Sequence, residues 1–193
     1  GNGRSYGDSS LYKSIISYKP LDPIINFLPN NIIEVSSDIL FSNLLEIIIP
    51  RGLLLPVMPG TSFVTIGGAI ASDIHGKNHH IAGTFGQHVT ALNLVLGTGE
   101  FLTASKHENA DLFYATCGGM GLTGIIISAT IQLIPIRSSF INQKTIKADC
   151  IEAACEAFIE NNNTTYSVAW IDCLAKGRNL GRSVLMLGEH AKE

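Results

Sequence analysis

The sequence predicts an α+β fold: a mixed sheet with flanking helices, followed by the start of a second domain. Three observations carry this. Within the first 135 residues, three glycine clusters are separated by ordinary helix-like and strand-like stretches. The run Ile125 to Ile134 (IIISATIQLI) is the strongest strand signal in the chain, and Pro135 stops it. After Pro135 the composition changes, and no glycine recurs until Gly177. The boundary is placed near Arg137, with one domain over residues 1–136 and the beginning of another over 137–193. A length of 193 residues suits one domain plus part of a second.

The elements follow in order. Asn31 to Val35 (NIIEV) reads as a short strand. Ser36-Ser37-Asp38 then supplies capping residues for a helix to about Ile49, with Ile39, Leu40, Leu44, Leu45 and Ile48 on helical spacing. Pro50-Arg51-Gly52 ends it, and Leu53 to Met58 is a buried extended run broken by Pro56. Thr65 to Ala71 (TIGGAIA) is small and apolar enough for a tightly packed helical turn, whose first N–H groups are expected to be free for phosphate. Ala91 to Leu96 and Phe101 to Thr103 flank Gly97-Thr98-Gly99-Glu100 as a hairpin. Asn109 to Ala115 is a short helix. In the second part, Asn142 to Ala148, Tyr166 to Ile171 and Ser183 to Leu187 read as strands, with an amphipathic helix over Cys150 to Glu160 making a βαβ-type unit.

Composition excludes several classes. The chain is 46% hydrophobic and 15% charged, against about a quarter charged in ordinary domains. A net charge of −3 gives no basic footprint for nucleic acid. No apolar run approaches the ~20 residues of a transmembrane span. Cys117, Cys150, Cys155 and Cys173 form no C-x-x-C pair and read as buried structural thiols in a reducing compartment. The chain opens on Gly1 rather than methionine, its first residues show no apolar signal-peptide run, and it is read as a fragment of a longer protein, with a targeting segment ahead of it left open.

The stretch that organises the chain is Thr65 to His88. It holds five glycines (Gly67, Gly68, Gly76, Gly83, Gly86) and four histidines (His75, His79, His80, His88). So many glycines require sharp turns or close approach to a ligand. The opening, Gly1-Asn2-Gly3-Arg4-Ser5-Tyr6-Gly7-Asp8, is spaced G-x-G-x-x-x-G, one residue longer than a Rossmann fingerprint, with no strand before it. It is either an anion nest around a pyrophosphate or a flexible terminal loop. Cys117 to Gly124 is the third cluster. If the three converge they form one backbone-lined groove, which suits a dinucleotide.

GNGRSYGD at 1–8, PGT at 59–61, TIGGAIASDIHGKNHH at 65–80, GTFGQHV at 83–89 and GGMGLTGII at 118–126 resemble the PCMH-type FAD-binding domain of the vanillyl-alcohol oxidase superfamily. The match is closest to the decaprenylphosphoryl-β-D-ribose 2′-oxidase family. The resemblance implies FAD as cofactor, held by Gly1, Asn2, Gly3, Arg4, Ser5, Tyr6, Gly7, Asp8, Ser9, Gly60, Thr65, Ile66, Gly67, Gly68, Ser72, Asp73, Ile74, His75 and Ile126. It implies that His75, Gly76 and Lys77 face the substrate. It further implies an FAD-linked oxidase of cell-wall biosynthesis that oxidises a secondary alcohol of a sugar, either small or lipid-linked. The electron acceptor is unassigned. The expected location is the cytoplasm or the inner-membrane surface, with the periplasm left open. Relatives carry a small subdomain before the opening glycines and most of a substrate domain after this chain. The catalytic residues are therefore placed outside it, and the fragment alone is expected to be inactive. The alternatives are an alditol or aldonolactone oxidase of the same superfamily, or a non-catalytic nucleotide-binding remnant.

Individual residues keep more than one reading. His75 is a pocket wall beside the flavin, a packed structural histidine, or the site of a covalent flavin link, with the first preferred. A metal site from His75, His79, His80 and His88 is set aside, because Gly76 and Asn78 argue against a helix that would align them. Lys77 either attracts a phosphate group or reduced flavin, or is simply solvated. Asp73 either caps the following turn, the preferred reading, or accepts from a flavin hydroxyl. Tyr6 contacts ligand or core.

Overall fold

The computed structural model describes residues 1–5 and 11–192, so Tyr6, Gly7, Asp8 and Ser9 of the predicted site lie outside the described residues. The chain divides into two compact units, one of Gly1–Gly76 with Thr84–Pro135, the other of Lys77–Gly83 with the chain from Ile136 onward. In chain order the elements are β1 (Ile25–Leu28), β2 (Ile32–Ser36), α1 (Phe41–Ile48), β3 (Leu53–Leu54), α2 (Ile66–Ala71), α3 (His79–Ala82), β4 (Val89–Val95), β5 (Phe101–Ser105), α4 (Ala110–Thr116), β6 (Ile125–Gln132), β7 (Ile134–Pro135), β8 (Ile141–Ala148), α5 (Ile151–Glu160), β9 (Tyr166–Ile171) and β10 (Ser183–His190).

The first unit is built on a five-stranded sheet in the order β1-β2-β6-β4-β5. Every pairing in it is antiparallel, which corrects the expectation of a mixed sheet. Apolar periodicity reveals a strand but not its direction, and here β6 enters between β2 and β4 antiparallel to both. β1 was not anticipated. It is a four-residue strand closed by a turn in which Asn30 and Asn31 take positive φ of 61° and 59°, a conformation asparagine tolerates. A row of polar side chains crosses the central strands. Thr103 donates to Asn93 at 2.9 Å, Asn93 to Ser128 at 2.9 Å and Ser128 to Glu34 at 3.3 Å. Such a connected row opposes register slips, since a one-residue shift would move each partner to the other face.

The core lies between this sheet and its helices. Ile33, Val35, Phe41, Leu44, Ile66, Ile70, Phe85, Leu94 and Ile131 are fully buried. α2 packs on β2 and β6, α4 on β5, and the Phe41 and Phe85 rings meet with centroids 5.3 Å apart.

α1 starts later than expected, at Phe41, and Leu40 at its N-cap makes no side-chain cap. The serines expected to cap it are engaged elsewhere. Ser36 Oγ accepts the Ile24 N–H at 2.7 Å, and Ser37 Oγ donates to the Ile126 carbonyl. The helix's orphan amides are satisfied from outside, Phe41 N–H by Val64 O and Ser42 N–H by Ser62 O, both at 2.9 Å.

The second unit holds a three-stranded sheet in the order β8-β10-β9. Both pairings are antiparallel, so β8 and β9 run parallel with β10 between them. α5 crosses over from β8 to β9. It buries Ala157 in a cluster with Leu185 and Leu187, against which Ile146, Phe158 and Ala169 pack. Tyr166 donates its hydroxyl to His190 Nε2 at 3.0 Å, while His190 Nδ1–H reaches the Ser138 carbonyl at 3.3 Å. Among the described residues, no helix is long and apolar enough to cross a membrane.

Candidate functional site

The glycine clusters meet around α2. Thr65 caps this helix, its hydroxyl accepting the Gly68 N–H at 3.1 Å. The opening segment lies against the same end. A Cβ on Gly1 would sit 3.8 Å from Thr65 Oγ1, Asn2 Nδ2 donates to the Phe63 carbonyl at 2.9 Å, and Ser5 and Ser72 hydroxyls are 3.3 Å apart. The third cluster docks on the opposite end of α2. Gly118 N–H donates to Ile70 O at 2.9 Å and Met120 N–H to Ala71 O at 2.8 Å. Gly118, at φ +81°, stands where its Cβ would meet Asp73 Cβ at 3.4 Å.

The first-turn amides of α2 are not free, contrary to expectation. Ile66 N–H donates to Ile39 O at 2.9 Å, Gly67 N–H to Ser37 O at 2.8 Å, and Gly68 N–H to the Thr65 hydroxyl. Gly67 also has a packing reason to be glycine, because its Cβ would lie 3.0 Å from Ser37 Cβ. Among the described residues, Gly68 would meet only Thr65 Oγ1, also at 3.0 Å. No described residue places an atom within 4 Å of a Cβ built on Gly3 or Gly60. Arg4 is exposed, Ile66 is a core side chain, and Ile126 is buried with its carbonyl taken by Ser37.

Asp73 follows α2 at φ +39°. Its Oδ1 accepts the Gly86 N–H at 2.7 Å. Ile74 O accepts the Phe85 N–H at 2.8 Å, and an isolated bridge pairs His75 with Thr84. The His75 side is thus an exposed edge laid along the 84–86 turn. Gly76 closes the first unit, while Lys77 is exposed and opens the segment grouped with the second. The Lys77 carbonyl accepts the Ser167 N–H at 2.8 Å. His80 Nε2 contacts Thr164 O at 2.9 Å. His79 starts α3 and His75 is outside any helix, so their spacing is not helical. Among the described residues, no group of three or more His, Cys, Asp or Glu side chains could hold a metal ion.

Cys117 sits beside Gly86 and Asp73, and burial, reinforced by the Asp73 charge and opposed by Lys106, pushes its thiol up to about 11. The expectation of four buried thiols fails: Cys155 and Cys173 are exposed, and Cys117 and Cys150 are half-buried. Sequence reasoning missed Ser37, which joins α2 to β6 through its carbonyl and hydroxyl; its only visible signal was a resemblance to a helix cap. It also missed that Gly86 is squeezed between Asp73 Oδ1, at 2.8 Å from a built Cβ, and Cys117 Cβ, at 3.1 Å.

Residues 1–105 match the family model described as an FAD binding domain. The chain belongs to this FAD-linked oxidase family. The family is one of FAD-binding oxidoreductases, and the cofactor is FAD. The chain is 40% identical, over its whole length, to the decaprenylphosphoryl-β-D-ribose oxidase of Mycolicibacterium smegmatis, of which it covers 43%. It is 31% identical to the D-lactate dehydrogenase of Anaerostipes hadrus over 66% of the chain and 28% of that enzyme. It is 26% identical to the D-arabinono-1,4-lactone oxidase of Yarrowia lipolytica over 70% of the chain and 27% of that enzyme. The chain spans less than half the length of these curated relatives. The residues present fit a dinucleotide in one respect: three separate glycine clusters gather on the two ends of one short helix, and no described residue fills the space beside Gly3 and Gly60.

Proposed function

We propose that this chain is the FAD-binding part of an oxidoreductase that oxidises a secondary alcohol of a sugar, with a lipid-linked sugar as the preferred substrate class. The observation that carries the substrate class is the 40% identity across the whole chain to the decaprenylphosphoryl-β-D-ribose oxidase. FAD, when bound, supplies the hydride acceptor for that oxidation. In this reading Gly1 to Ser9, Gly60, Thr65 to Gly68, Ser72 to His75 and Ile126 border the cofactor. The Ser5 and Ser72 hydroxyls offer donors near the opening loop. His75 and Gly76 line the substrate side, where the imidazole donates to or accepts from a sugar hydroxyl. Lys77 supplies positive charge for a substrate phosphate. The second unit, from Ile136 onward, is the beginning of the domain that holds the substrate, so residues 1–136 and 137–193 divide the work between cofactor and substrate.

The test uses the full-length protein. Bound flavin is released by heat and identified by mass. The oxidised protein is then mixed without oxygen with a polyprenylphosphoryl pentose, a free alditol and an aldonolactone, and bleaching of the flavin band is followed. Fast bleaching by the lipid-linked pentose alone is the expected result. Bleaching by the lactone or alditol instead would transfer the protein to the aldonolactone or alditol oxidase class. Recovery of no flavin, or of FMN alone, would overturn the reading.

A further inference from the structure

We infer that Asp73 is a positioning residue, whose carboxylate clasps the Gly86 N–H and so fixes the course of the segment that presents His75. The inference rests on the proposed function in one respect, the placing of His75 beside flavin and substrate.

The helix end makes the case. Ser72 N–H returns to Gly68 O, Asp73 N–H to Ile70 O at 3.0 Å and Ile74 N–H to Ala69 O at 3.1 Å. These last two are the paired bonds of a Schellman ending, with Asp73 at the position that takes a left-handed conformation. Its φ of +39° agrees. Glycine is the usual residue there, and a side chain in this region costs about 1 kcal/mol or more. An aspartate at such a position therefore needs a compensating use.

The use is visible. Oδ1 accepts the Gly86 N–H at 2.7 Å, a short, charge-assisted bond. The surroundings are shaped for it: a Cβ on Gly86 would come within 2.8 Å of that same oxygen and 3.1 Å of Cys117 Cβ. Gly86 is buried. Next along, Phe85 N–H donates to Ile74 O, and Thr84 bridges to His75. Two strands of chain are thus fastened residue against residue: 73 to 86, 74 to 85, 75 to 84. The third glycine cluster closes the other side, with Gly118 N–H on Ile70 O and its built Cβ against Asp73. Asp73 makes its bond in this register with a charged group, and it stands two residues from His75. Loosening it frees the 84–86 turn from the helix end and lets the His75 edge swing.

Three variants of the full-length protein test this: Asp73→Asn, Asp73→Gly and Gly86→Ala. Two readouts are taken, amide hydrogen exchange over residues 84–88 and visible circular dichroism of bound FAD. Asparagine keeps both an acceptor and the left-handed backbone, so Asp73→Asn should stay within about threefold of wild type in exchange and keep the flavin signal. Asp73→Gly relaxes the backbone but deletes the acceptor. It should fold, exchange at least tenfold faster over 84–88, and change the flavin signal. Gly86→Ala breaks the same bond from the other side and should reproduce Asp73→Gly, which keeps the test open if one variant is poorly folded. Wild-type exchange in Asp73→Gly overturns the inference. So does loss of the flavin signal in Asp73→Asn with exchange protection intact, because the charge would then act on the cofactor directly. If wild-type protein holds no FAD, the functional reading falls, and the exchange measurements alone decide the clasp.

Discussion

Gly67 and Gly68 are neighbours with different reasons to be glycine, and alanine should separate them. A Cβ on Gly67 meets Ser37 Cβ at 3.0 Å and Ser37 O at 3.2 Å, and that carbonyl accepts Gly67's own N–H. The neighbour is backbone and must yield by a few tenths of an ångström. Overpacking of this kind costs about 1–3 kcal/mol. Exchanging glycine for alanine inside a helix returns about 1 kcal/mol. Gly67→Ala is therefore expected to destabilise by about 0–2 kcal/mol, lowering the melting midpoint by up to roughly 8 °C at about 2–4 °C per kcal/mol. At Gly68 the Cβ meets, among the described residues, only the Thr65 hydroxyl, at 3.0 Å. Losing that cap costs about 0.5–2 kcal/mol, largely offset by the same helix gain. Gly68→Ala should melt within about 1 kcal/mol of wild type. FAD binding is expected to weaken about tenfold, some 1.4 kcal/mol, because in the proposed reading Gly68 borders the cofactor. Thermal unfolding without added flavin and FAD titration of the full-length variants measure the two effects. A Gly68→Ala midpoint below that of Gly67→Ala, or unchanged FAD affinity in Gly68→Ala, would refute the reasoning.

Further outcomes follow from the same geometry. Gly119→Ala places a Cβ 2.0 Å from the Ala115 carbonyl oxygen, so the loss in denaturant unfolding should reach or exceed the upper end of the roughly 1–3 kcal/mol typical of overpacking. At pH 8, iodoacetamide should label exposed Cys155 and Cys173 first, with Cys117 slower by about a hundredfold, as a thiol raised from 9.0 to about 11 implies; mass spectrometry of timed digests reads this. The Tyr166 hydroxyl is held above its ordinary value by burial and then by the Glu189 charge. A group whose folded value is raised adds stability that is complete below its unfolded value of 10.0 and is lost as pH climbs through the folded one. Denaturant midpoints should thus fall above about pH 10 in wild type and fall less in Tyr166→Phe.

Much of the fold was legible because it rests on local chemistry. The helical turn over Thr65 to Ala71, the hairpin at 97–100 and the strands of the second unit are set by residues close in sequence. β9 lies where Tyr166 to Ile171 was read, and α5 within a residue of its expected start. What failed was non-local. The direction of β6 depends on where the chain returns, and no periodicity encodes that. The Ser36 and Ser37 hydroxyls looked like caps for α1, but partners twelve and eighty-nine residues away hold them instead. Competition between a local and a distant acceptor cannot be weighed without the fold. In the candidate site the convergence of the glycine clusters was legible, while the reasons for individual glycines were not. Gly67 and Gly86 are glycine because of Ser37, Asp73 and Cys117, which no spacing rule connects to them.

The occupied amides of α2 change how an anion can be held. A helix start is ordinarily an anion site because its first N–H groups lack partners. Here Ile39 O, Ser37 O and Thr65 Oγ1 already take the amides of Ile66, Gly67 and Gly68. Recruiting one of them for a phosphate would break a bond worth about 1 kcal/mol net and strand an acceptor at about 1–3 kcal/mol. The helix dipole returns about 0.3–1 kcal/mol for a nearby anion, and α2 has only six residues to generate it. The exchange is unfavourable, so the donors for a pyrophosphate must come from elsewhere around α2. Under the proposed function the opening segment would supply them: the Ser5 hydroxyl lies beside Ser72, and the guanidinium of Arg4 is exposed. This gives a physical reason for an opening that is glycine-rich yet one residue longer than a Rossmann fingerprint. Gly1 lets the backbone pass close to Thr65, and no described residue fills the space beside Gly3, while in the proposed reading phosphate recognition would fall to side chains of the loop rather than to the helix behind it.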